Sequence, residues 1–497
     1  MSQSKEIELK FQLSSPKEIR AILADELFAG QEKKEATTLY STYYDTEDLR
    51  LNQNKIAYRI RKTAEGLEAT AKSGVDDSKG LFVRNEWNAP IRTRRFSSQV
   101  FAETPIGVKL FEIVGNAEVK PLFRTQFKRT VINYEKDDLS AEIAFDQGKI
   151  LAQEGKQEAI LEMEMELKAG DINQLLSLGQ TVATKYPLHF GLQSKYERGL
   201  ILSGIETAPP PSPDVQIEKG ESLQSGIQKM MSAAFQSILY MHQWFLLSPQ
   251  EVESVHQLRV SIRQLRSLCS FVKPFVEEEP YTQVQSLLRE MAQQLAEMRE
   301  MDVLAEEYMQ AAENAKGFLN KQSALLKMIG EKRLSEQEQI HAIFLSGVNT
   351  PKLLAVLAWI YEPHWKKEHA QVPFEAYVDE QIAKRKKKIS RALKTIDMHQ
   401  IEQVHPVRIQ GKKLRYLLKV MKEQLKKPQL RLLKELDVLQ ELLGSICDIE
   451  VQIPYLKSFG VGSRSIKLHK ELALMAGYRL SKLDGMHEKA KNFRFSD

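Results

Sequence analysis

The chain has 497 residues, of which 42% are hydrophobic and 28% charged, with a formal net charge of +5. That length exceeds one ordinary core, and that composition excludes a disordered chain. The net charge is too small to name a partner, so the placement of charge carries the reading. Cys269 and Cys447 stand far apart and define neither a disulfide framework nor a metal spacing. They point to a reduced, cytosolic compartment. The opening MSQSKEIELKF lacks the apolar run of a signal peptide. No stretch reaches the roughly 20 apolar residues that span a bilayer, so no membrane is expected.

In chain order, the first element is a strand. EIELKF alternates Glu6, Glu8 and Lys10 with Ile7, Leu9 and Phe11. Successive side chains of a strand face opposite ways, so the three charged groups share one face. A helix is predicted from about Pro16 to Leu27. Period-two segments then follow: AYRIRK, with Arg59 and Arg61 alternating, and LEATAK, ending at Lys72. VRNEWNAPI carries Arg84 and Glu86, and RTVINYE begins with Arg129. LSAEIAFDQGKI holds Glu142 and Asp146, and ILEMEMELK puts Glu162, Glu164 and Glu166 on one face. EKDD and DQG read as the connecting turns, with Asp146 at the second. A further helix over about Asp171–Lys185 has Asp171 as its N-cap. Lys195 follows Ser194 in LQSKYERG.

One acidic strand alone reads more simply as a solvated face. Two acidic strands with R-x-R between them, each apolar on its other side, predict a polar-lined antiparallel barrel. Its carboxylates suit Mg²⁺ or Mn²⁺, and its Arg and Lys groups suit phosphate oxygens. Clustered cations repel one another unless a polyanion joins them. His189 in PLHFG has no assigned role.

TAPPPSPD at 207–214 marks a stiff, extended boundary within a 203–218 linker. Beyond it, from 219 to 497, Gln, Leu, Glu, Lys and Met dominate at helical spacing, and an all-α domain is predicted. The most apolar stretch, ILYMHQWFLLS at 238–248, reads as buried helix. VHQLRVSIRQLR at 255–266 repeats as VHPVRIQGKKLR at 404–415. His256, Arg259, Arg263 and Arg266 correspond to His405, Arg408, Lys412 and Arg415, each set on one helical stripe. Asp302 and Asp448 lie downstream at similar intervals. Two copies of a helical unit related by pseudo-twofold symmetry follow. Lys413, Lys419 and AKRKKKISR at 383–391 extend the basic surface. A single basic stripe is usually solvated; its repetition argues for a polyanion. The histidines lack zinc-ligand spacing, and the stripes lack the interleaved aromatics of single-strand nucleic-acid platforms.

E-x-E-x-K at the start, YYDT at 43–46, R-I-R at 59–61, T-A-K at 70–72, FDQG at 145–148, E-x-E at 162–164 and the late Ser194-Lys195 resemble, in this order, a CYTH domain over residues 1–202. The resemblance implies the triphosphate tunnel fold, a closed antiparallel barrel. It implies metal-holding roles for Glu6, Glu8, Asp146, Glu162 and Glu164. It also implies substrate-binding roles for Lys10, Arg59, Arg61, Lys72, Arg84, Arg129 and Lys195, and a catalytic pairing of Lys10 with Tyr43 to poise a water. Glu166 leaves the register of the acidic pair open, and Arg124 is a further basic residue without a place. The second half resembles a CHAD domain, which implies two pseudo-symmetric helical bundles that bind long-chain inorganic polyphosphate through the repeated basic stripes. Here the first copy reads REMD where the family pattern is richer in aspartate. Asp302 and Asp448 are then expected to position the basic helices.

The resulting expectation is a metal-dependent hydrolase that splits tripolyphosphate into pyrophosphate and phosphate. One metal would bridge Glu6 and Glu8, and a second would sit at Glu162 and Glu164. Alternatives are a thiamine triphosphatase, a class IV-like adenylate cyclase, or a non-catalytic polyphosphate-binding protein of cytoplasmic granules. The helical half also permits nucleic-acid binding, which ranks below polyphosphate. Oligomeric state is not legible.

Overall fold

A computed structural model describes residues 3–63, 66–74, 82–205, 215–314, 319, 322–362, 365–366, 372–422 and 425–496. The proline-rich stretch at 207–214 lies outside the described residues. The chain divides into two compact units. The first is Met1–Pro213 with Phe344–Glu362, and the second is Asp214–Ile343 with Pro363–Asp497.

The first unit is built on nine strands: β1 (Gln3–Gln12), β2 (Glu32–Thr46), β3 (Ile56–Lys62), β4 (Leu67–Gly74), β5 (Phe82–Ile91), β6 (Val119–Lys136), β7 (Leu139–Leu151), β8 (Gln157–Ala169) and β9 (His189–Phe190). Their order is β5-β4-β3-β2-β6-β7-β8-β1-β9, and β1 also pairs with β5. That last pairing joins the two ends, so eight antiparallel strands close into a ring without free edges. Residues directly paired across antiparallel strands point to the same face. The register Lys10↔Glu164, Asp146↔Glu162, Arg129↔Asp146, Tyr43↔Arg59, Arg59↔Thr70 and Lys72↔Glu86 therefore carries one charged face around the ring.

Among the described residues before the linker, five helices accompany the ring: α1 (Pro16–Leu23), α2 (Arg50–Gln53), α3 (Pro105–Val114), α4 (Ile172–Lys185) and α5 (Lys195–Leu202). The apolar alternates lie outward. Tyr58, Ile60, Ala69, Ala71 and Trp87 join Ile106, Leu110 and Val114 of α3 in one core. On another side, α4 packs so closely on β1 that a Cβ on Gly179 would lie 2.7 Å from Leu9. Asp171 caps α4 in a reciprocal box with Gln174, as its sequence predicts.

Two local expectations are corrected. The first helix stops at Leu23, and a 3₁₀ turn over Glu26–Phe28 follows, because Asp25 accepts the Leu27 N–H and competes with the helix. DQG is not a turn, and Asp146 lies mid-strand in β7. Gly148 is there because a Cβ would lie 2.1 Å from the Gln126 carbonyl oxygen on β6. EKDD does turn, with Asp137 at φ +51°.

From residue 215 onward the chain forms α6 (Leu223–Leu247), α7 (Val252–Val272), α8 (Glu278–Gln294), α9 (Ala296–Asn314), α10 (Ala324–Leu345), α11 (Thr350–Tyr361), α12 (Phe374–Thr395), α13 (Ile401–Val420), α14 (Lys427–Gly460) and α15 (Ile466–Asn492). Of these, α11 belongs to the first unit. In the second unit the repeated motifs fall on α7 and α13. The pairings α6 with α12 and α7 with α13 bring equivalent helices together, as pseudo-twofold symmetry requires. Met301, Leu304 and Tyr308 of α9, Leu325 and Ile329 of α10, Leu456 and Phe459 of α14, and Leu468 and Met475 of α15 share one core. Ile238, Leu239 and Phe245 of the 238–248 stretch are buried in α6. No single described helix is long and apolar enough to cross a membrane.

Candidate active site

The closed ring fixes which side chains meet. Asp146 of β7 and Glu162 and Glu164 of β8 converge, with one oxygen of each within 4.8 Å of the others. Lys195, in the first turn of α5, reaches all three, at 2.8 Å from Asp146, 2.6 Å from Glu162 and 2.7 Å from Glu164. Arg129 of β6 donates to both oxygens of Asp146, at 2.7 and 2.6 Å, and to Glu164 at 2.5 Å. Lys10 lies 3.4 Å from Glu164 and 3.9 Å from both Glu162 and Glu8. Farther around the ring, Lys72 bonds Glu6 at 2.8 Å and pairs with Glu86, which also lies 3.7 Å from Arg59. Tyr43 hydrogen-bonds to Arg59 and stacks on Phe123, with centroids 4.7 Å apart.

One end of the interior is apolar. Leu39, Tyr43, Phe127, Ile150 and Ile160 pack with Leu200 of α5. Gly199 makes this seat possible, because a Cβ there would lie 2.1 Å from the Phe123 ring. Ser194 caps α5 in a reciprocal box with Glu197, which points Lys195 and Arg198, three residues apart, toward the carboxylates.

Arg61 is the exception to this pairing. Its Nε donates to Ser41 Oγ at 3.0 Å and its guanidinium lies over the Phe127 ring. No ion pair joins it to a described carboxylate. Burial and the neighbouring Arg59 and Arg129 pull its pKa down from the usual arginine range. A buried guanidinium of this kind is a standing cost that an anion relieves.

The titrations follow the same map. Burial opposes ionisation of Asp146 and Glu164, yet Lys195 and Arg129 outweigh it and hold both carboxyls below the ordinary range, Glu164 furthest. Burial likewise pushes the Tyr43 phenol up, but Arg59, Arg61 and Lys195 bring it below its ordinary value. Glu8 goes the other way: burial and the nearby Glu164 push it up to about 7. Its Oε1 is buried without a hydrogen-bond partner.

These donors fit a hard divalent cation. Three carboxylate oxygens converge, and a fourth carboxylate beside them has an orphaned oxygen. Asp146 joins Glu162 and Glu164, and Glu6 is held by Lys72. Glu166 lies apart, paired in register with Glu8 and Glu142 and bonded to Lys168 at 2.6 Å. Arg124 is exposed, on the opposite face of β6 from Arg129. The side chain of Arg84 lies outside the described residues.

In the second unit, the stripes of α7 and α13 face each other. Burial, then Arg408 and Arg263, pull Lys412 down to about 7. Burial and Arg263 likewise lower Arg259 to about 10, and burial with Arg299 lowers His256. Arg259 donates to the Ala292 carbonyl, Arg266 to Gln285, and Arg415 to Asp437. Asp448 bonds Arg408 at 2.9 Å, the positioning contact expected of it. Asp302 bonds Arg333 of α10, at 2.8 Å, and meets its own stripe through the charge of His256 rather than through a hydrogen bond to an arginine. His405 is exposed. Within the 383–391 run, Arg385 lies over the Phe271 ring and Lys386 donates to the Ser496 carbonyl.

Residues 4–200 match the CYTH domain and residues 229–457 match the CHAD domain. The chain is a CYTH domain followed by a CHAD domain. An inorganic triphosphatase of Haemophilus influenzae is 35% identical over 169 residues, which cover 33% of this chain and 46% of that protein. The match thus spans less than half of the relative's length. Among solved structures, the CHAD domain of the plant Ricinus communis is 18% identical, covering 59% of this chain and 99% of its own, with a TM-score of 0.47. A Hippeastrum protein described as a putative adenylyl cyclase with a dominant triphosphatase activity is 18% identical, covering 41% and 97%, with a TM-score of 0.32.

Within the CYTH domain, the interior gathers Glu6, Glu8, Lys10, Tyr43, Arg59, Arg61, Lys72, Arg129, Asp146, Glu162, Glu164 and Lys195. Sequence reasoning missed Arg198, which pairs with Glu162 and Glu158 and is itself buried. Its signal was the three-residue spacing from Lys195 on one helix face. Glu86 was visible in VRNEW but had no role until Lys72 and Arg59 were seen to converge on it.

Two substitutions separate the paired cations from the unpaired one. Arg129→Met removes the guanidinium that Asp146 and Glu164 share, leaving them to Lys195, and is expected to cost the CYTH domain about 1.5–3 kcal/mol. Arg61→Met strands no carboxylate and is expected to leave stability unchanged or raised. Urea unfolding read by hydrogen exchange in β6–β8 checks both, and equal losses would refute the charge map. Glu8 gives a pH signature. The native carboxyl keeps its proton up to about pH 7, whereas the free side chain releases it near 4.5. The native state thus binds more protons in that window, and stability falls as pH rises through it. Glu8→Gln is expected to flatten that fall in the same measurement.

Proposed function

We propose that the CYTH domain is a metal-dependent inorganic triphosphatase that hydrolyses tripolyphosphate to pyrophosphate and phosphate. The observation that carries this reading is Arg61: a part-buried guanidinium that no described carboxylate pairs with, beside Arg59 and Arg129, in a cavity that also gathers carboxylates. Such a cavity suits a polyanion and its counter-cation together. Asp146, Glu162 and Glu164, with Glu8 alongside, would hold a divalent ion, Mg²⁺ or Mn²⁺, which would supply charge neutralisation and a more acidic bound water. Lys195 holds those three carboxylates and would have to give up some of their oxygens to it. Arg59, Arg61 and Lys72 bind the chain of phosphates and stabilise charge on the leaving pyrophosphate. Phosphoryl transfer relies chiefly on such positioning and electrostatics. A water oxygen bonds to the terminal phosphorus, the bridging P–O bond breaks, and the water's proton passes to a nearby carboxylate or to solvent.

The CHAD domain is proposed to bind long-chain inorganic polyphosphate on the facing stripes of α7 and α13. The depressed ionisation of Lys412, Arg259 and His256 supports this, because it reflects cations crowded and part-buried without enough acidic partners.

Phosphate release by the intact chain, assayed on tripolyphosphate, ATP and thiamine triphosphate with Mg²⁺, Mn²⁺ or chelator, tests the first reading. Tripolyphosphate is expected to be preferred, turnover to vanish with chelator, and Arg61→Met to lose at least 100-fold. Turnover restricted to an organic triphosphate would replace the substrate, and no turnover of any would leave a binding protein. For the CHAD domain, an arriving polyanion recharges Lys412, so binding takes up a proton and affinity falls as pH rises above about 7. Calorimetry with long-chain polyphosphate at pH 6 and pH 8.5 is expected to show the difference, and Lys412→Met to shrink it. Tighter binding of duplex DNA than of polyphosphate at equal salt would favour a nucleic-acid role instead.

A further inference from the structure

Residues 344–362 lie, in sequence, between the two copies of the helical repeat. In space they belong to the barrel unit. Pro351 opens α11, and Leu353, Leu354, Val356, Leu357, Trp359 and Ile360 along it are buried. This helix packs along α4. α4 is thus apolar on two sides, one against β1 and the other against α11.

The loop before α11 forms a clamp. Thr350 Oγ1 donates to the Leu188 carbonyl, and the His189 ring lies 3.3 Å from the Leu345 carbonyl oxygen. Gly347, at φ +74°, approaches so closely that a Cβ would lie 2.8 Å from Pro187 Cα. At the far end, Asn173 at the start of α4 donates to Glu362 at 2.8 Å. The clamped stretch, 187–191, is the one that borders Lys10. β9 pairs Phe190 with Phe11 and His189 with Gln12. Gly191 N–H donates to the Lys10 carbonyl at 2.9 Å, and a Cβ on Gly191 would lie 2.7 Å from Lys10 Cγ.

We infer that the apolar outer face of α4 is a docking surface whose partner is residues 344–362 of this same chain, and that this segment completes the barrel domain and positions the strand bearing Glu6, Glu8 and Lys10. The domain is therefore discontinuous in sequence. Cutting at the proline-rich linker removes its outer helix. The chain passes between the two units at 343–344 and 362–363, besides the linker itself.

Native-state hydrogen exchange on the intact chain, followed by mass spectrometry through a urea series, tests the docking without reference to any substrate. Peptides from 350–361 are expected to lose protection at the same urea concentration as those from 172–185. Loss in step with 252–272 and 401–420 instead would overturn the inference. Positioning has its own readout, which rests on the triphosphatase reading. Gly347→Val forces a side chain into Pro187, and Thr350→Val removes the bond to Leu188. Both are expected to open 187–191 at least 10-fold faster and to lower kcat for tripolyphosphate at least 5-fold, with β6–β8 exchange unchanged. Unchanged kcat and KM in both variants would sink the positioning role. A wild-type chain without turnover would remove the triphosphatase reading, and the exchange series would still decide whether the segment belongs to the barrel.

Discussion

Charge buried inside a closed ring of strands governs the first unit. The ring turns the usual barrel inside out, with apolar alternates against helices outside and carboxylates, ammonium groups and guanidinium groups within. Such an interior is stable only if nearly every charge has a partner, because an isolated buried ion costs several kcal/mol. The pairing is dense at one side, where Lys195, Arg129, Lys10 and Arg198 surround Asp146, Glu162 and Glu164. It is incomplete at the neighbouring Arg61, which meets a hydroxyl and a ring and forms no ion pair with a described carboxylate. The asymmetry separates groups that hold the fold from a group poised for an incoming anion.

The same logic runs weaker in the helical half. There the basic stripes lie on two equivalent helices that pack together, so symmetry places like charges opposite like charges. Asp448 and Asp437 relieve part of this from α14. In the first copy Asp302 bonds Arg333, and Arg259 and Arg266 of α7 bond neutral partners, the Ala292 carbonyl and Gln285. The two copies share a scaffold and differ in how their charge is compensated. That difference makes the interface between them uneven despite its symmetry.

Much of the barrel was legible because period-two alternation is a local signal. EIELKF, AYRIRK and ILEMEMELK each state which residues share a face, and closure of the ring brings those faces together. β2 escaped the reading because its first half, EKKEATT, is polar and exposed throughout and shifts register between Lys34 and Thr37. The DQG segment misled because glycine marks turns and close strand approaches alike, and only the position of Phe127 on β6 distinguishes them. Arg198 and Glu86 are in the same position: their partners come from elements remote in sequence.

Helix α11 shows where local pattern ends. Its sequence, TPKLLAVLAWIY, announces a helix with an extensive apolar surface, but nothing in that pattern says which unit supplies the covering face. Contiguity assigns it to the helical half, and packing assigns it to the barrel. The decision is made by α4, whose inner face is committed to Leu9 and Phe11 and whose outer face remains apolar. A barrel that closes its hydrogen bonds still needs a second layer over every apolar stretch of its outer wall. Where the first 213 residues run out of helix to provide it, the chain returns from the other domain to do so. The strand carrying the first acidic motif is thereby backed by residues more than 330 positions away.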